Sequence, residues 1–128
     1  MRNKLGDNAR IQHIFDAILE IELYIQQVSY DIFKSNSMMQ YACVKQLEII
    51  GEAANHLTPH FKKLNPEIEW PEIIALRNIL IHEYFGIDTK IVWDIINTDI
   101  VFMKAKVKKI IDQIKPSPNL FNPLESKE

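Results

Sequence analysis

Apolar residues recur at intervals of three and four along most of the chain, which is the spacing that places side chains on one face of a helix. The first such segment extends from Asp7 to Ser29 and the second from Met38 to Leu57. Residues 30–37, between the two segments, contain serine and asparagine, which favour helix caps, and are predicted to form a connection. The apolar positions are Ile11, Ile14, Phe15, Ile18, Ile25 and Val28 in the first segment, and Met39, Cys43, Leu47, Ile50, Ala54 and Leu57 in the second.

Proline and cap residues divide the next part of the chain. Residues 59–66 begin and end with proline, which predicts an irregular link or a single helical turn. A third helix is predicted from Trp70 to about His82, because Pro71 is favoured in a first helical turn. Its end is predicted at Phe85–Gly86, since glycine commonly follows the last helical residue.

The C-terminal part predicts further helices and a tail. Asp88 is placed to cap a helix, and Asn97 or Thr98 is a candidate break before a last helix that ends near Ile114. Residues 116–128 contain three prolines and have no apolar periodicity. We interpret them as a flexible tail.

Length and composition fit a single helical domain. The chain has 128 residues and three glycines. Its formal net charge of −2 does not suggest a general nucleic-acid binder. No apolar run approaches the roughly 20 residues that span a bilayer, and the N-terminal residues lack the apolar core of a signal peptide. We predict a cytoplasmic protein without a membrane segment and with an all-α fold. The fold is an antiparallel bundle over residues 1–115, with two long helices and shorter ones packed across them.

Cysteine and histidine give little support to metal chemistry. Cys43 is the one cysteine of the sequence and is predicted to be a buried structural thiol, because it lies on an apolar helix face. His56 and His60 are four residues apart, but Pro59 between them is expected to break the helix that would align them. No metal ion and no cofactor are predicted.

Gly51 lies inside the second predicted helix, where glycine costs about 1 kcal/mol relative to alanine. We expect it to allow the close approach of another backbone or of a ligand. The neighbouring Glu52 is interpreted as an exposed helix position, or at most as a partner for Arg77.

Lysine is concentrated near the C-terminal end of the last predicted helix. The cluster comprises Lys104, Lys106, Lys108, Lys109 and Lys115 and is opposed by Asp112 alone. It is either a solvated helix face, as charge runs usually are, or a surface that attracts phosphate.

Arg77 stands in an otherwise apolar helix. The residues one turn away on either side are all aliphatic: Ile73, Ile74, Leu80 and Ile81. An unpaired guanidinium buried among them would cost several kcal/mol. Arg77 is therefore either paired within the protein or placed at a cleft that receives an anion.

Asn78, His82 and Tyr84 form a polar set with Arg77. Asn78 and His82 are four apart and share a helix face, so the amide can orient the imidazole. Arg77 and His82 are five apart, or about 140° on an ideal helix, so joint action on a substrate needs local unwinding or a wide cleft. The set suits metal-free RNA cleavage, with the ribose 2′-hydroxyl as nucleophile, the imidazole as proton carrier and the guanidinium on the phosphate.

A purely structural interpretation of these residues is favoured on spacing alone. Cationic side chains at a helix C-terminus stabilise the negative end of the dipole. Tyr84 would then only close the core.

The motif and its surroundings change this balance. Residues 77–84 fit the pattern Arg-x-x-x-x-His-x-Tyr of the HepT-like branch of the HEPN superfamily. Three further segments agree with that family and, with the motif, cover roughly residues 7–115 in the right order: residues 47–54, residues 70–74, and residues 84–88 with 92–93. The chain thus resembles a HepT-like protein.

The resemblance implies a HEPN-like helical bundle that forms a homodimer with both motifs facing one cleft. It implies the ribonuclease toxin of a type II toxin–antitoxin pair, which cleaves RNA without a metal ion. By position, Arg77 would bind and polarise phosphate, His82 would be acid or base, and Asn78 and Glu52 would support them. Tyr84 would accept AMP from ATP through an MNT-type nucleotidyltransferase antitoxin, which adds bulk and negative charge where substrate phosphate binds.

A helical adaptor without catalytic activity is the alternative. Such a protein would bind a nucleotidyltransferase or a nucleotide. Replacement of Arg77 would then disturb that binding, and the unaltered protein would not cleave RNA.

Overall fold

The regular structure of the described part of the chain is helical. The computed structural model describes residues 6–81 and 88–114, and it describes the side chains of the helix that ends at Ile81 only as far as Arg77. Over these ranges the α-helices are α1 (Gly6–Tyr24), α2 (Tyr30–Lys34), α3 (Ser37–Asn55), α4 (Pro59–Leu64), α5 (Trp70–Ile81), α6 (Thr89–Asp94) and α7 (Ile100–Ile114), and a π-helical turn (Ile95–Asp99) joins α6 to α7. No strand occurs within these ranges, and the predicted all-α fold class is confirmed.

The central helix of the bundle is α3, which packs against α1 on one side and α5 on another, while α1 also packs against α7. In the first turn of α1, the Asp7 carboxylate accepts hydrogen bonds from Thr58 N at 2.9 Å and from Thr58 Oγ1 at 2.7 Å, just beyond the end of α3. At the other end of α1, Gln46 Nε2 donates to Tyr24 Oη at 3.1 Å. These two contacts establish that α1 and α3 run in opposite directions.

The apolar faces predicted for the two long helices form the core. Their fully enclosed members are Ile11, Ile14 and Ile18 of α1, Cys43, Leu47, Ile50 and Ala54 of α3, and Leu57, which follows α3; Phe15, Ile25, Val28 and Met39 are partly buried against them. Each fully buried aliphatic side chain of this size contributes about 1.5–3 kcal/mol relative to exposure. This face, rather than local propensity, holds α1 and α3 together.

The first helix is shorter than the sequence predicts. A helix to Ser29 was expected, but α1 ends at Tyr24 because Gln27 adopts a φ of 58°, a left-handed conformation that stops a right-handed helix. The residues expected to connect the long helices instead form α2, whose N-cap is Ser29: its side chain accepts from Ile32 N at 3.3 Å.

The bounds of the next elements follow from similar caps. The side chain of Asn36 accepts from Met39 N at 3.0 Å and begins α3 within a residue of the predicted start. The side chain of Thr58 accepts from Phe61 N at 3.1 Å and begins the short helix α4, which is the helical one of the two alternatives predicted for residues 59–66. Asp88 caps α6 as predicted, since its side chain accepts from Ile91 N at 3.2 Å.

The candidate break at Asn97–Thr98 is wrong, because the backbone continues from α6 into α7 through the π-helical turn. The buried residues Val92, Ile96 and Ile100 are spaced by four. On a regular α-helix each four-residue step drifts by about 40° from the face. The wider π-helical turn absorbs this drift and keeps the three side chains on the core.

The lysines of α7 are largely engaged by neighbouring groups. Lys104 Nζ lies 2.9 Å from Glu22 Oε2, and Lys108 Nζ lies 3.0 Å from Asp112 Oδ2. Lys106 Nζ donates to the backbone oxygen of residue 67 at 2.9 Å. These contacts offset part of the positive charge of this face.

Some predictions fall on residues that the structure does not describe. They are the helix end at Phe85–Gly86, Lys115 and the tail over residues 116–128. Among the helices of the described ranges, none has both the length and the apolar content to cross a membrane.

Cys43 tests the position of α3 in the core. Its side chain is fully buried, and burial raises the pKa of the thiol from 9.0 to about 11. At pH 8 the thiolate fraction is then about a hundredfold lower than in the unfolded chain. We expect a chromogenic disulfide reagent to modify Cys43 at least that much more slowly in the native protein than in urea, and equal rates would place α3 at the surface.

Candidate functional site

The backbones of α3 and α5 approach each other closely at Gly51. A Cβ atom at this position would lie 2.9 Å from both the Cβ and the backbone nitrogen of Arg77, and 3.2 Å from the backbone oxygen of Ile73. Carbon atoms are not accommodated at such distances without displacement of the neighbouring helix. The expectation that Gly51 allows the close approach of another backbone is therefore confirmed.

The same approach brings Arg77 to Glu52. The guanidinium donates from Nη1 to Glu52 Oε1 at 2.7 Å. The Glu52 side chain is 52% exposed and that of Arg77 is 26% exposed, so the pair lies at the surface end of the helix contact. The other carboxylate oxygen of Glu52 lies 3.4 Å from Nδ1 of His56.

One edge of the Arg77 guanidinium is desolvated. Its Nε atom is buried and has no hydrogen-bond partner within the described part of the chain. A buried donor without a partner costs about 1–3 kcal/mol. The guanidinium thus donates one hydrogen bond to the carboxylate, and it has further N–H groups that can donate to a ligand.

A cleft of about 350 Å³ opens beside this ion pair. One face of α3 forms its floor, α1 supplies side chains on one side and α5 supplies Arg77 on the other. The charged and titratable lining residues are Arg10 and His13 of α1, Lys45, Glu48 and Glu52 of α3, and Arg77 of α5.

The sequence left two alternatives for Arg77, pairing within the protein or placement at a cleft, and both apply. The arginine is paired within the protein, and it also lines a cleft. Because its carboxylate partner is half exposed, the pair is not sealed in the interior. An anion that enters the cleft can reach the guanidinium without first breaking open the core.

The predicted site residues are described to different extents. Arg77 and Glu52 are brought together as expected, whereas the side chain of Asn78 and all of His82 and Tyr84 lie outside the described residues. The 140° separation between Arg77 and His82 therefore stays a prediction.

Sequence reasoning missed the other charged residues of the cleft. Lys45, Glu48 and Glu52 are spaced by three and four, and Arg10 and His13 by three, so each group shares a helix face. Such patterns are typical of any solvated helix face. Only the pairing of α1 with α3 shows that the two groups converge.

The histidines near the end of α3 form no metal site. His56 follows the last residue of α3, and its Nδ1 lies 2.9 Å from the backbone oxygen of Glu52. Across residues 6–81 and 88–114, no three histidine, cysteine, aspartate or glutamate side chains are arranged to hold a metal ion.

Comparison with known proteins identifies the family. The model of the family described as "Ribonuclease HepT-like" matches residues 14–110. This match includes α3, α5 and the cleft residues of α3, together with Arg77. The chain belongs to the HepT-like ribonuclease family, within the HEPN superfamily.

Several curated proteins are similar to the chain over most of its length. A protein of Thermococcus cleftensis named "Probable ribonuclease HepT" is 37% identical over 100 residues, which are 78% of this chain and 91% of that protein. A protein of Methanocaldococcus jannaschii that bears an RNase name is 36% identical over 106 residues, 83% of this chain and 97% of that protein. A third relative, from Caldanaerobacter subterraneus subsp. tengcongensis, also bears an RNase name and is 35% identical over 108 residues, 82% of this chain and 94% of that protein.

No solved structure gives a significant match to the chain. The family match and the names of the relatives together support an RNase of the HEPN kind.

Substitutions at positions 51 and 52 separate packing from charge. We expect Gly51→Ala to lower the free energy of unfolding by about 1–3 kcal/mol, because the added methyl group forces α3 and α5 apart although alanine is the better helix former. Urea denaturation of the variant and the parent measures the difference. An equally stable Gly51→Ala protein would contradict the close approach.

Glu52→Gln serves as the neighbouring control. The ion pair is at the surface, so its removal should change the free energy of unfolding by less than about 1 kcal/mol. A larger loss in the same denaturation experiment would mean that the carboxylate holds the two helices together.

Proposed function

We propose that this protein is the toxin component of a type II toxin–antitoxin system, a metal-independent endoribonuclease that acts in the cytoplasm. The observation that supports it most directly is the placement of Arg77, which is fixed by the Gly51 contact and faces a solvent-accessible cleft. A permanently cationic group in that position suits a phosphodiester. The HepT-like family membership supports RNA as the substrate class.

Arg77 binds the scissile phosphate in this proposal. Glu52 holds the guanidinium at Nη1, which leaves other N–H groups to face the cleft. A guanidinium that is already oriented pays less entropy on binding an oxyanion and stabilises the charge that grows in the transition state. Glu52 is therefore a positioning residue.

His82 carries the proton in the proposed reaction. A base removes the proton of the ribose 2′-hydroxyl, the 2′-oxygen forms a bond to phosphorus, and the bond from phosphorus to the 5′-oxygen of the next nucleotide breaks. An acid returns a proton to that 5′-oxygen, and the other product ends in a 2′,3′-cyclic phosphate. A histidine near its ordinary pKa can serve either role, and Asn78 is proposed to orient its ring.

Assembly into a homodimer would relieve the geometric problem set by the motif. Arg77 and His82 point about 140° apart on a regular helix. If two copies place their motifs at one cleft, a phosphate can contact the arginine of one chain and the histidine of the other.

Tyr84 is the proposed site of control by an MNT-type nucleotidyltransferase antitoxin. The tyrosine oxygen forms a bond to the α-phosphorus of ATP, pyrophosphate leaves, and the phenolic proton is lost. The attached AMP places a phosphodiester and a base two residues from His82. Its negative charge can occupy Arg77 in place of RNA.

A non-catalytic adaptor that binds a nucleotidyltransferase or a nucleotide is the second candidate. The surface exposure of the Arg77–Glu52 pair is compatible with it, because an anionic group of a partner could use the same guanidinium. In that case Arg77→Ala weakens partner or nucleotide binding, and the unaltered protein leaves RNA intact.

Replacement of His82 tests the reaction. We expect the unaltered protein to cleave single-stranded RNA in the presence of EDTA and to leave 2′,3′-cyclic phosphate ends. His82→Ala should fold normally but cleave at least about a hundredfold more slowly, the usual loss for a general acid or base. Mapped RNA ends after induction in cells, together with rates on a purified RNA, provide the measurement.

His60→Ala is the matched control, since His60 is an exposed histidine of α4 outside the cleft. It should retain full cleavage. Unchanged cleavage by His82→Ala would remove the histidine from the mechanism, and absence of cleavage by the unaltered protein would favour the adaptor.

Incubation with ATP and the cognate nucleotidyltransferase tests the modification. The mass of one adenylyl group should appear on the peptide that contains Tyr84, and Tyr84→Phe should abolish it. Tyr41→Phe is the control, because Tyr41 is an exposed tyrosine of α3. Full labelling of the Tyr84→Phe protein would refute the assignment.

A further inference from the structure

The cleft beside Arg77 extends well beyond the ion pair. Lys45 is seven residues before Glu52 on the floor helix α3, so the two Cα atoms are about 10 Å apart along the axis. The cleft thus has a cation near each end, Arg77 at one and Lys45 at the other. A single phosphate bound at Arg77 would not use the Lys45 end.

The α1 side of the cleft carries one further positive charge, that of Arg10. Arg10 and His13 line it, one turn apart. Their position is fixed because Asp7, one turn before Arg10, is tied to Thr58 by two hydrogen bonds. The α1 side chains therefore face α3 in a set register. Because α1 and α3 are antiparallel, Arg10 and His13 lie toward the Arg77 end of the cleft and away from Lys45.

Lys45 is available to a ligand. Its side chain is exposed, and it forms no ion pair with any residue that the structure describes. Glu48, one turn further along α3, is the carboxylate that opposes it, whereas Glu52 is engaged by Arg77. None of the described lining residues is phenylalanine, tyrosine or tryptophan, so the cleft offers mainly charged groups to a ligand.

We infer that the Lys45 end of this cleft is a second phosphate-binding subsite, in which Lys45 binds the RNA backbone at a phosphate neighbouring the one on Arg77. The inference rests on the proposed function, because it takes RNA as the substrate. Contacts of this kind set the position of the strand and are independent of base sequence. They would align the scissile phosphate with the guanidinium.

Binding to a 2′-O-methyl oligoribonucleotide of mixed sequence tests the subsite, since this probe lacks the nucleophile and is not cleaved. Fluorescence anisotropy at several salt concentrations gives the affinity and its salt dependence. We expect Lys45→Ala to weaken binding about tenfold and to lower the slope of log affinity against log salt by about 0.7, the value for one phosphate contact on a single strand. Lys45→Arg should restore both quantities.

Glu48→Gln provides a change of opposite sign. Removal of the opposing carboxylate should strengthen binding by about threefold, as expected for a like-charge contact near the surface. Glu67→Gln is its control, because this exposed glutamate lies outside the cleft. If both variants bind RNA more tightly by the same factor, the gain comes from overall charge alone, and the subsite is overturned.

Lys109→Ala separates the cleft from the lysine-rich face of α7, where Lys109 is exposed. It should leave affinity and salt slope unchanged. If Lys109→Ala weakens binding as much as Lys45→Ala, or if Lys45→Ala has no effect, the subsite does not exist. Circular dichroism and light scattering of every variant should match the parent in fold and mass.

A parallel titration with AMP distinguishes the source of the phosphate. Lys45→Ala should alter RNA binding more than AMP binding, and the reverse result would assign the cleft to a mononucleotide. A different result would contradict the proposed function, namely that the parent protein does not cleave unmodified RNA. A parent that cleaves, with a Lys45→Ala variant that binds normally, overturns the subsite alone.

Discussion

The contact between the backbones of α3 and α5 at Gly51 is the constraint on which the rest of the site depends. It sets how closely the two helices approach, and with them the position of Arg77 relative to Glu52. A glycine inside a helix carries a cost of about 1 kcal/mol. Here that cost is offset by a helix interface that a larger residue would not permit. The position of the proposed phosphate-binding arginine is therefore set by helix packing.

The Arg77 guanidinium is partly buried and partly accessible to solvent. Burial of its Nε removes one donor from water, while the exposed Glu52 leaves the charged end of the guanidinium near solvent. Attraction between such groups is stronger than between fully solvated ones, because the effective dielectric constant is lower. An arginine in this setting is held firmly in place and still interacts with an incoming anion. This combination is what a preorganised phosphate site requires.

Periodicity and caps in the sequence were enough to predict the two long helices, the start of α6 and the all-α class. They failed where a single backbone conformation decides the outcome: the left-handed Gln27 ends α1, and the π-helical turn removes the break expected at Asn97–Thr98. At the site, Arg77, Glu52 and the role of Gly51 followed from local sequence. Arg10 and Lys45 did not, because their convergence depends on the pairing of two helices rather than on spacing within either one.

The π-helical turn between α6 and α7 sets which face of α7 packs against α1. It contains one residue more than a regular α-helical turn would hold. If the same residues wound as a continuous α-helix, every later side chain would rotate by about 100° relative to α6. Val107 and Ile110 of α7 would then turn away from α1. Substitutions that convert this turn to a regular α-helix should therefore disturb the contact between α1 and α7, whereas point substitutions on its exposed side should be tolerated.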